Sequence, residues 1–314
     1  LCKSKAIKTA LTGLCCAAIA QAASAQDDTT FPAHNVIDND NQIDRPDELE
    51  QASSAPGKTS ADDIAKELSN PNSPLASLTF KQTYTSFGGS LPGASDQSSL
   101  TTLFQPTFPF PIGGEGSATN LFIRPALAYV TRQPVFNPAT GQFENKSGWA
   151  DVGFDVAIGR SYDSGYVIVG GVQGTIPTNT DVSSGQWRLG PEFLVAKVGK
   201  KGYWAAFPSH QWDVGGDDYD FSNTQLELFA GVYLPNAWTI FTDSKWSYDW
   251  ENDQETIPIN LSVSKVTKIG NLPVKLQLGL DYFVESNDAF GQDWAVNFAI
   301  TPVVPNFIYN AFKR

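Results

Sequence analysis

Thr224-Gln-Leu-Glu-Leu-Phe-Ala-Gly-Val-Tyr-Leu234 is the stretch that decides the fold, because its side chains divide into two faces with a period of two. Leu226, Leu228 and Val232 share one face, and Glu227 lies on the other. Residues 274–284 repeat the pattern. A period of two predicts β-strands with one apolar face. Such strands are typical of a soluble sandwich and also of an outer-membrane barrel, whose apolar face meets lipid.

Strand length and loop length separate these two alternatives. Most candidate strands have 10 or more residues, which exceeds the sandwich norm of about 5–6 and suits a tilted membrane crossing of about 9–11. The connections alternate between longer loops, such as residues 131–148, and tight turns, such as Pro235-Asn236. Alternating loops and an even strand count are typical of outer-membrane barrels. Twelve strands are predicted near 77–87, 98–111, 120–130, 149–160, 166–177, 187–198, 203–212, 224–234, 238–250, 256–268, 273–285 and 293–304.

The composition agrees with a barrel and excludes other classes. The 314 residues carry a net charge of −12, which disfavours binding to nucleic acid. Charged residues make up only 17% of the chain and aromatic residues 12%. No apolar run of about 18 residues is present to form a membrane-spanning helix. The eight tryptophans fall in or at the ends of candidate strands, as expected for aromatic girdles at the two membrane surfaces.

The N-terminal region has the pattern of an exported protein. Residues 1–25 combine early lysines, a short apolar run and Ala23-Ser24-Ala25, which predicts a signal peptide cleaved after Ala25. All three cysteines lie in this segment. Residues 26–74 are acidic and poor in aromatic residues, which predicts a mostly disordered periplasmic extension with a short helix near 61–68. The barrel is predicted over 75–305 and a C-terminal extension over 306–314, with the protein in the bacterial outer membrane.

Short motifs resemble those of one known family. Together they span about residues 61–305, in the order Ala65-Lys66 with Asn70-Pro71, Gln105-Pro106 with Pro109-Phe110, Arg124-Pro125, Gln211-Trp212, Leu234-Pro235-Asn236-Ala237-Trp238, Asp293-Trp294 and Thr301-Pro302. The chain resembles proteobacterial outer-membrane proteins labelled transporters or "MetA-pathway of phenol degradation" proteins. The resemblance implies a barrel that takes up small, often hydrophobic or aromatic compounds.

Strand parity predicts which charged side chains point into the barrel. Two interpretations remain open: a network that stiffens the wall, or a constriction that filters solutes. Because an unpaired buried charge is costly, Arg124 is expected to contact an inward carboxylate, Asp151 or Asp155. The candidate lumen residues are Arg124, Asp151, Asp155, Arg188, Glu192, Glu227, Asp243, Lys245, Lys275, Asp281 and Glu285.

Enzyme and metal chemistry find less support. A barrel phospholipase needs a serine two residues after its histidine, and Trp212 holds that position after His210. Neighbours along a strand face opposite sides, so Ser209 cannot pair with His210. We therefore expect no enzyme activity, no cofactor and no metal site. Weak calcium candidates are the loop carboxylates Asp213, Asp217, Asp218 and Asp220.

The sequence thus favours an outer-membrane channel for small, hydrophobic or aromatic solutes. The alternatives are a structural or interaction barrel without conductance, with residues 131–148 as its binding loop, and thirdly an outer-membrane enzyme of the phospholipase type. The expected partners are outer-membrane lipid, a small solute and the barrel-assembly machinery, with the oligomeric state open.

Overall fold

The computed structural model describes residues 60–216 and 219–312. Two short helices, α1 (Ala61–Glu67) and α2 (Phe307–Phe312), flank a single antiparallel sheet. Its strands are β1 (Ala76–Gly88), β2 (Ser98–Pro111), β3 (Thr119–Asn137), β4 (Gln142–Trp149), β5 (Val152–Ser161), β6 (Tyr166–Ile176), β7 (Gln186–Val198), β8 (Gly202–Gly216), β9 (Ser222–Leu234), β10 (Trp238–Asp249), β11 (Gln254–Ile269), β12 (Leu272–Glu285) and β13 (Gly291–Val304).

The sheet closes into a barrel of twelve strands. Each strand pairs with its neighbour in the ring, and β1 closes the ring by pairing with both β2 and β13. The strand β3 pairs with β2 and β5, while β4 pairs only with the far part of β3 and stands outside the ring. The prediction of an antiparallel twelve-stranded barrel is therefore confirmed.

The predicted loop over residues 131–148 is instead a β-hairpin. The strand β3 continues to Asn137, and β4 returns from Gln142, so only residues 138–141 form the turn. The Phe143 ring lies 4.6 Å from the ring of Phe290, in the connection between β12 and β13. Proline usually interrupts a strand, but Pro134 is accommodated opposite Asn145 in the ladder.

The barrel wall is apolar on the outside and polar on the inside. Along β11, Leu261 is 66% exposed, whereas Asn260 beside it is 6% exposed and faces inward. This arrangement is the reverse of a soluble sandwich and matches a wall that meets lipid. Within residues 60–216 and 219–312, neither helix has the length and apolar character needed to cross a bilayer.

Residues 60–75 cross one mouth of the barrel, and we call them the N-terminal strap. Ser60 caps α1 by accepting the Asp63 N–H at 3.1 Å. Ile64 is buried against Val266 and Val303, near the ends of β11 and β13. At the other end of the strap, Asn72 Nδ2 donates to the carbonyl oxygen of Ala118 at 2.9 Å and to Ser161 Oγ at 2.8 Å.

The strap is therefore attached to the rim that carries the short turns. The helix expected near 61–68 is present at Ala61–Glu67. Residues 68–74 were expected to belong to a disordered extension. They are instead held in place, because the Asn72 amide bonds to Ala118 before β3 and to Ser161 at the end of β5. Residues 1–59, including the predicted signal peptide and its cleavage site, lie outside the described residues.

The segment after β13 packs on the outside of the same rim. Phe108 shares the lipid-facing side with its ladder partner Ile123, and the Phe307 ring of α2 meets the Phe108 ring at 5.2 Å. Asn306 Nδ2 donates to the carbonyl oxygen of Pro109. The predicted C-terminal extension thus contains a short helix held against the wall.

Candidate channel lumen

The barrel encloses a cavity of about 650 Å³ whose floor is formed by the strap. Leu68, Pro71 and Leu75 of the strap contribute to its lining. Four basic and four acidic side chains line the same space, namely Lys81, Arg124, Lys245, Lys275, Asp155, Glu192, Glu227 and Asp243. The lumen is therefore balanced in formal charge, although the whole chain carries −12.

Arg124 and Asp155 form the closest ion pair of the described lumen. The two residues are direct partners in the β3–β5 ladder, so their side chains leave the sheet side by side on its inner face. Arg124 Nε donates to Asp155 Oδ1 at 2.8 Å. The expected contact of Arg124 with an inward carboxylate is confirmed, and the partner is Asp155 rather than Asp151.

A second pair lies on the neighbouring strands β9 and β10. Glu227 and Lys245 are ladder partners, and Lys245 Nζ lies 3.5 Å from Glu227 Oε2. Asp243 lies two positions along β10 from Lys245 on the same inner face, and its backbone N–H donates to Asn260 Oδ1 at 2.9 Å. Charges of both signs thus meet on adjacent strands of the inner wall.

Glu192 takes no part in either of these ion pairs. It is 5% exposed and lines the cavity, yet neither of its carboxylate oxygens has a hydrogen-bond partner among the described residues. A buried carboxylate without a donor is costly, so such a group is expected to attract a donor from solvent or solute. Glu192 is therefore a lumen carboxylate with free hydrogen-bonding capacity.

Aromatic rings share the cavity with these charges. Phe207 is the ladder partner of Glu227. Phe229 comes two positions after Glu227 and Phe241 two positions before Asp243, so both rings lie on the short-turn side of these charges. Lys275 Nζ lies 5.2 Å from the Phe241 ring centroid, within the range of a cation–π contact. The aromatic lining residues are Phe122, Phe154, Tyr203, Phe207, Phe229 and Phe241.

Asp151 does not line this cavity. It lies between β4 and β5, where Oδ2 accepts the Ser184 N–H at 2.9 Å and Oδ1 accepts the Thr178 N–H at 3.3 Å. Burial acts to raise the pKa of Asp151, but the hydrogen bonds from Ser183, Ser184 and Thr178 outweigh it and lower the pKa. Asp151 therefore ties the connection between β6 and β7 to the hairpin.

Three more predicted lumen residues lie away from the cavity. Asp281 faces inward at another level, where it accepts from Asn260 Nδ2 at 2.7 Å and from Asn297 Nδ2 at 2.9 Å. Arg188 lies near the long-loop rim, with its guanidinium 3.7 Å from the Phe221 ring centroid. Glu285 is the last residue of β12. The alternation along each strand predicts which side of the wall a residue faces, but it does not predict the height of that residue along the barrel axis.

The weak calcium candidates do not form a described site. Asp213 Oδ1 accepts the Phe221 N–H at 2.9 Å, and Asp220 is exposed. Asp217 and Asp218 lie outside the described residues. In the described parts of the chain, no three His, Cys, Asp or Glu residues are placed to hold a metal ion.

Sequence reasoning missed Lys81, although a signal for it exists. Phe80 and Tyr84 are exposed on the outer wall, so the odd-numbered positions between them face inward. Lys81 is therefore placed in the lumen, and it lines the cavity. The strap residues of the floor gave no comparable signal, because their position depends on contacts with distant turns.

The fold and the charged, aromatic-lined cavity define a twelve-stranded barrel of the outer-membrane type. The chain is similar to the structure described as the COG4313 outer membrane channel from Pseudomonas putida F1, with 14% identity, a TM-score of 0.55, and 73% of this chain and 94% of that chain covered. Weaker similarities include the NanC porin (10% identity, TM-score 0.45, 73% and 99% covered) and outer membrane phospholipase A from Escherichia coli (12%, 0.41, 73% and 93%). At these identities the likeness concerns the fold. No protein-family model matches the chain, and no curated protein matches it by sequence.

Proposed function

We propose that the chain is an outer-membrane channel for small aromatic solutes that carry a hydrogen-bond donor. The apolar outer wall supports the membrane location, and the long-loop rim then faces outside the cell, as in outer-membrane barrels generally. The order of motifs shared with the phenol-degradation transporter family supports the same solute class. Outer-membrane lipid surrounds the wall, and the barrel-assembly machinery inserts it.

The observation that carries the proposal is the combination of Glu192 with the apolar side chains beside it. Phe207 and Leu194 line the same part of the cavity as Glu192. A phenolic hydroxyl group would donate to the unpartnered carboxylate while its ring packs against these apolar side chains. The charges of Arg124, Asp155, Glu227 and Lys245 are already paired, so they offer less to a charged solute.

Planar-bilayer recording of the full chain tests the channel. We expect single-channel currents, and we expect added phenol to reduce them more than benzene or cyclohexanol at equal concentration. Glu192→Gln should weaken the phenol effect about tenfold, since one hydrogen bond to a charged group contributes about 1.5 kcal/mol or more. Glu144→Gln is the matched control, because Glu144 is an exposed carboxylate of the hairpin.

A different result would favour the alternative of a structural barrel without conductance. The strap across the short-turn mouth and the paired lumen charges are the observations that favour that alternative. A folded protein that carries no current and does not swell liposomes with any small solute would contradict the channel. Equal reduction of the current by phenol and benzene would contradict the assigned solute class.

A further inference from the structure

A polar cluster lies on the outer wall, away from the lumen, and includes His210. On β8, Trp212 is 49% exposed, whereas Ser209 is 7% exposed. Ala205, Phe207 and Gln211 line the cavity, so odd-numbered positions face inward and His210 faces the lipid side with Trp212. The function proposed for the lumen uses none of these outward groups.

The β8–β9 ladder brings two hydroxyl groups to this imidazole. His210 is the partner of Thr224, and Trp212 is the partner of Ser222. His210 Nδ1 lies 2.7 Å from Thr224 Oγ1, and His210 Nε2 lies 3.4 Å from Ser222 Oγ. The histidine thus lies between the two hydroxyls, one at each ring nitrogen.

Trp250 occupies one acceptor position of the Thr224 hydroxyl in this relay. Its indole Nε1 can only donate, and it donates to Thr224 Oγ1 at 2.8 Å. The remaining lone pair of Thr224 Oγ1 can accept a hydrogen bond from the His210 Nδ1–H group. In that tautomer His210 Nε2 carries a lone pair directed at the Ser222 hydroxyl. The distance of 3.4 Å suits a site without substrate, where catalytic hydrogen bonds are often long.

The height of the cluster on the wall indicates which substrate could reach it. Ser222 is the first residue of β9 at the long-loop rim, and Trp212 and Trp250 flank it. Tryptophan rings concentrate at the headgroup level of a membrane. If the outer-membrane orientation proposed above holds, this level is that of the outer leaflet, where acyl chains are joined to lipid headgroups.

We propose that Ser222, His210 and Thr224 form a serine acyl-hydrolase site on the outer wall, directed at acyl esters of outer-leaflet lipids. Ser222 Oγ attacks the ester carbonyl as His210 Nε2 takes its proton, and Thr224 acts as a positioning residue that holds the imidazole. The carbon–oxygen bond to the lipid alcohol breaks, and His210 returns the proton to that alcohol. A water molecule then adds to the acyl carbon as His210 Nε2 takes its proton. The bond between the acyl carbon and Ser222 Oγ breaks, the fatty acid leaves, and His210 returns the proton to Ser222 Oγ.

To test this, the full chain in detergent micelles is treated with hexadecanesulfonyl fluoride, and mass spectrometry locates the modified residue. The Ser222 oxygen–sulfur bond forms, the sulfur–fluorine bond breaks, and fluoride leaves. We expect one adduct, on Ser222, and hydrolysis of para-nitrophenyl palmitate in the same micelles. Ser222→Ala should lose both. His210→Asn should slow both at least about 100-fold, the usual contribution of a general base.

Ser86→Ala is the matched control, because Ser86 pairs with Trp294 on the outer wall as Ser222 pairs with Trp212. It should leave labelling and hydrolysis unchanged.

Thr224→Val should lower kcat about tenfold and change the pH profile of the reaction, with little change in KM, while Thr224→Ser should restore the wild-type profile. A structural role for Thr224 would not produce that pattern.

The proposal is overturned if the sulfonyl fluoride modifies Ser222 no faster than Ser86, or if folded His210→Asn reacts like the wild type. Heat-modifiable migration on gels reports folding for every variant. Conductance of Ser222→Ala should equal that of the wild type, so loss of the hydrolase and loss of the channel are separate outcomes.

Discussion

Arg124 and Asp155 lie opposite each other on adjacent strands, and their side chains meet at 2.8 Å inside the barrel. The Arg124 side chain remains 36% exposed, so the pair borders the cavity rather than a dry core. Such a pair can both narrow the lumen and hold its charge in balance.

Replacing Arg124 by Ala should widen the lumen and shift its ion preference toward cations, because one positive charge leaves a balanced lining. The substitution should lower the free energy of unfolding by less than the about 3 kcal/mol expected when a dry buried pair is broken, because water can reach Asp155. Reversal potentials in a KCl gradient and thermal unfolding in detergent measure these effects. Arg132→Ala, on the exposed far part of the same strand, is the control. An unchanged reversal potential would contradict the prediction.

Replacing Asn72 by Ala should free the strap from the short-turn rim. The buried Asn72 amide donates two hydrogen bonds and Asn120 donates to it, so the loss should reach about 1–3 kcal/mol. We expect longer or larger openings in single-channel recordings. Ser73→Ala is the matched control, because Ser73 Oγ accepts the Leu75 N–H within the strap. Identical currents in the two variants would show that the strap does not limit flow.

Asp151 should make the connection between β6 and β7 sensitive to acid. Its folded pKa is below the ordinary 3.8, so its contribution is present above that value and is lost as the pH falls toward the folded pKa. We expect the amides of Thr178 and Ser184 to exchange with solvent about tenfold faster in Asp151→Asn at neutral pH, equivalent to about 1.4 kcal/mol. Hydrogen exchange measures this, and Asp163→Asn serves as control. Equal protection in both variants would rule out the anchor.

Gly279 should not tolerate a side chain. A Cβ atom there would lie 2.5 Å from Ser262 Oγ and 2.7 Å from Asn297 Oδ1, two groups of the polar cluster around Asp281. Gly279→Ala should therefore destabilise the barrel by about 1–3 kcal/mol, the usual cost of overpacking. In Gly170→Ala the new Cβ would approach Phe193 only to 4.0 Å, so that variant should unfold like the wild type. Thermal unfolding of both in detergent decides between these outcomes.

The barrel and the inward side of most strands follow from sequence, because the period of two is a local property of an extended chain. Glu227 and Lys275 were assigned to the lumen in this way, and both line the cavity. The height of a residue along the barrel axis is not a local property of the chain. It depends on strand tilt and on register between neighbours, which is why Asp281 and Arg188 were grouped with residues that lie at another level.

The sequence by itself determined that apolar and polar residues alternate along the strands, that the tryptophans lie in or at the ends of strands and that charged side chains face a lumen. Only the tertiary structure decided that Arg124 meets Asp155, that the strap closes one mouth and that Ser222 stands beside His210. The physical reason is the same in each case. These neighbours come from separate strands or turns, and the ladder register and long-range hydrogen bonds that unite them leave no period or motif in the chain.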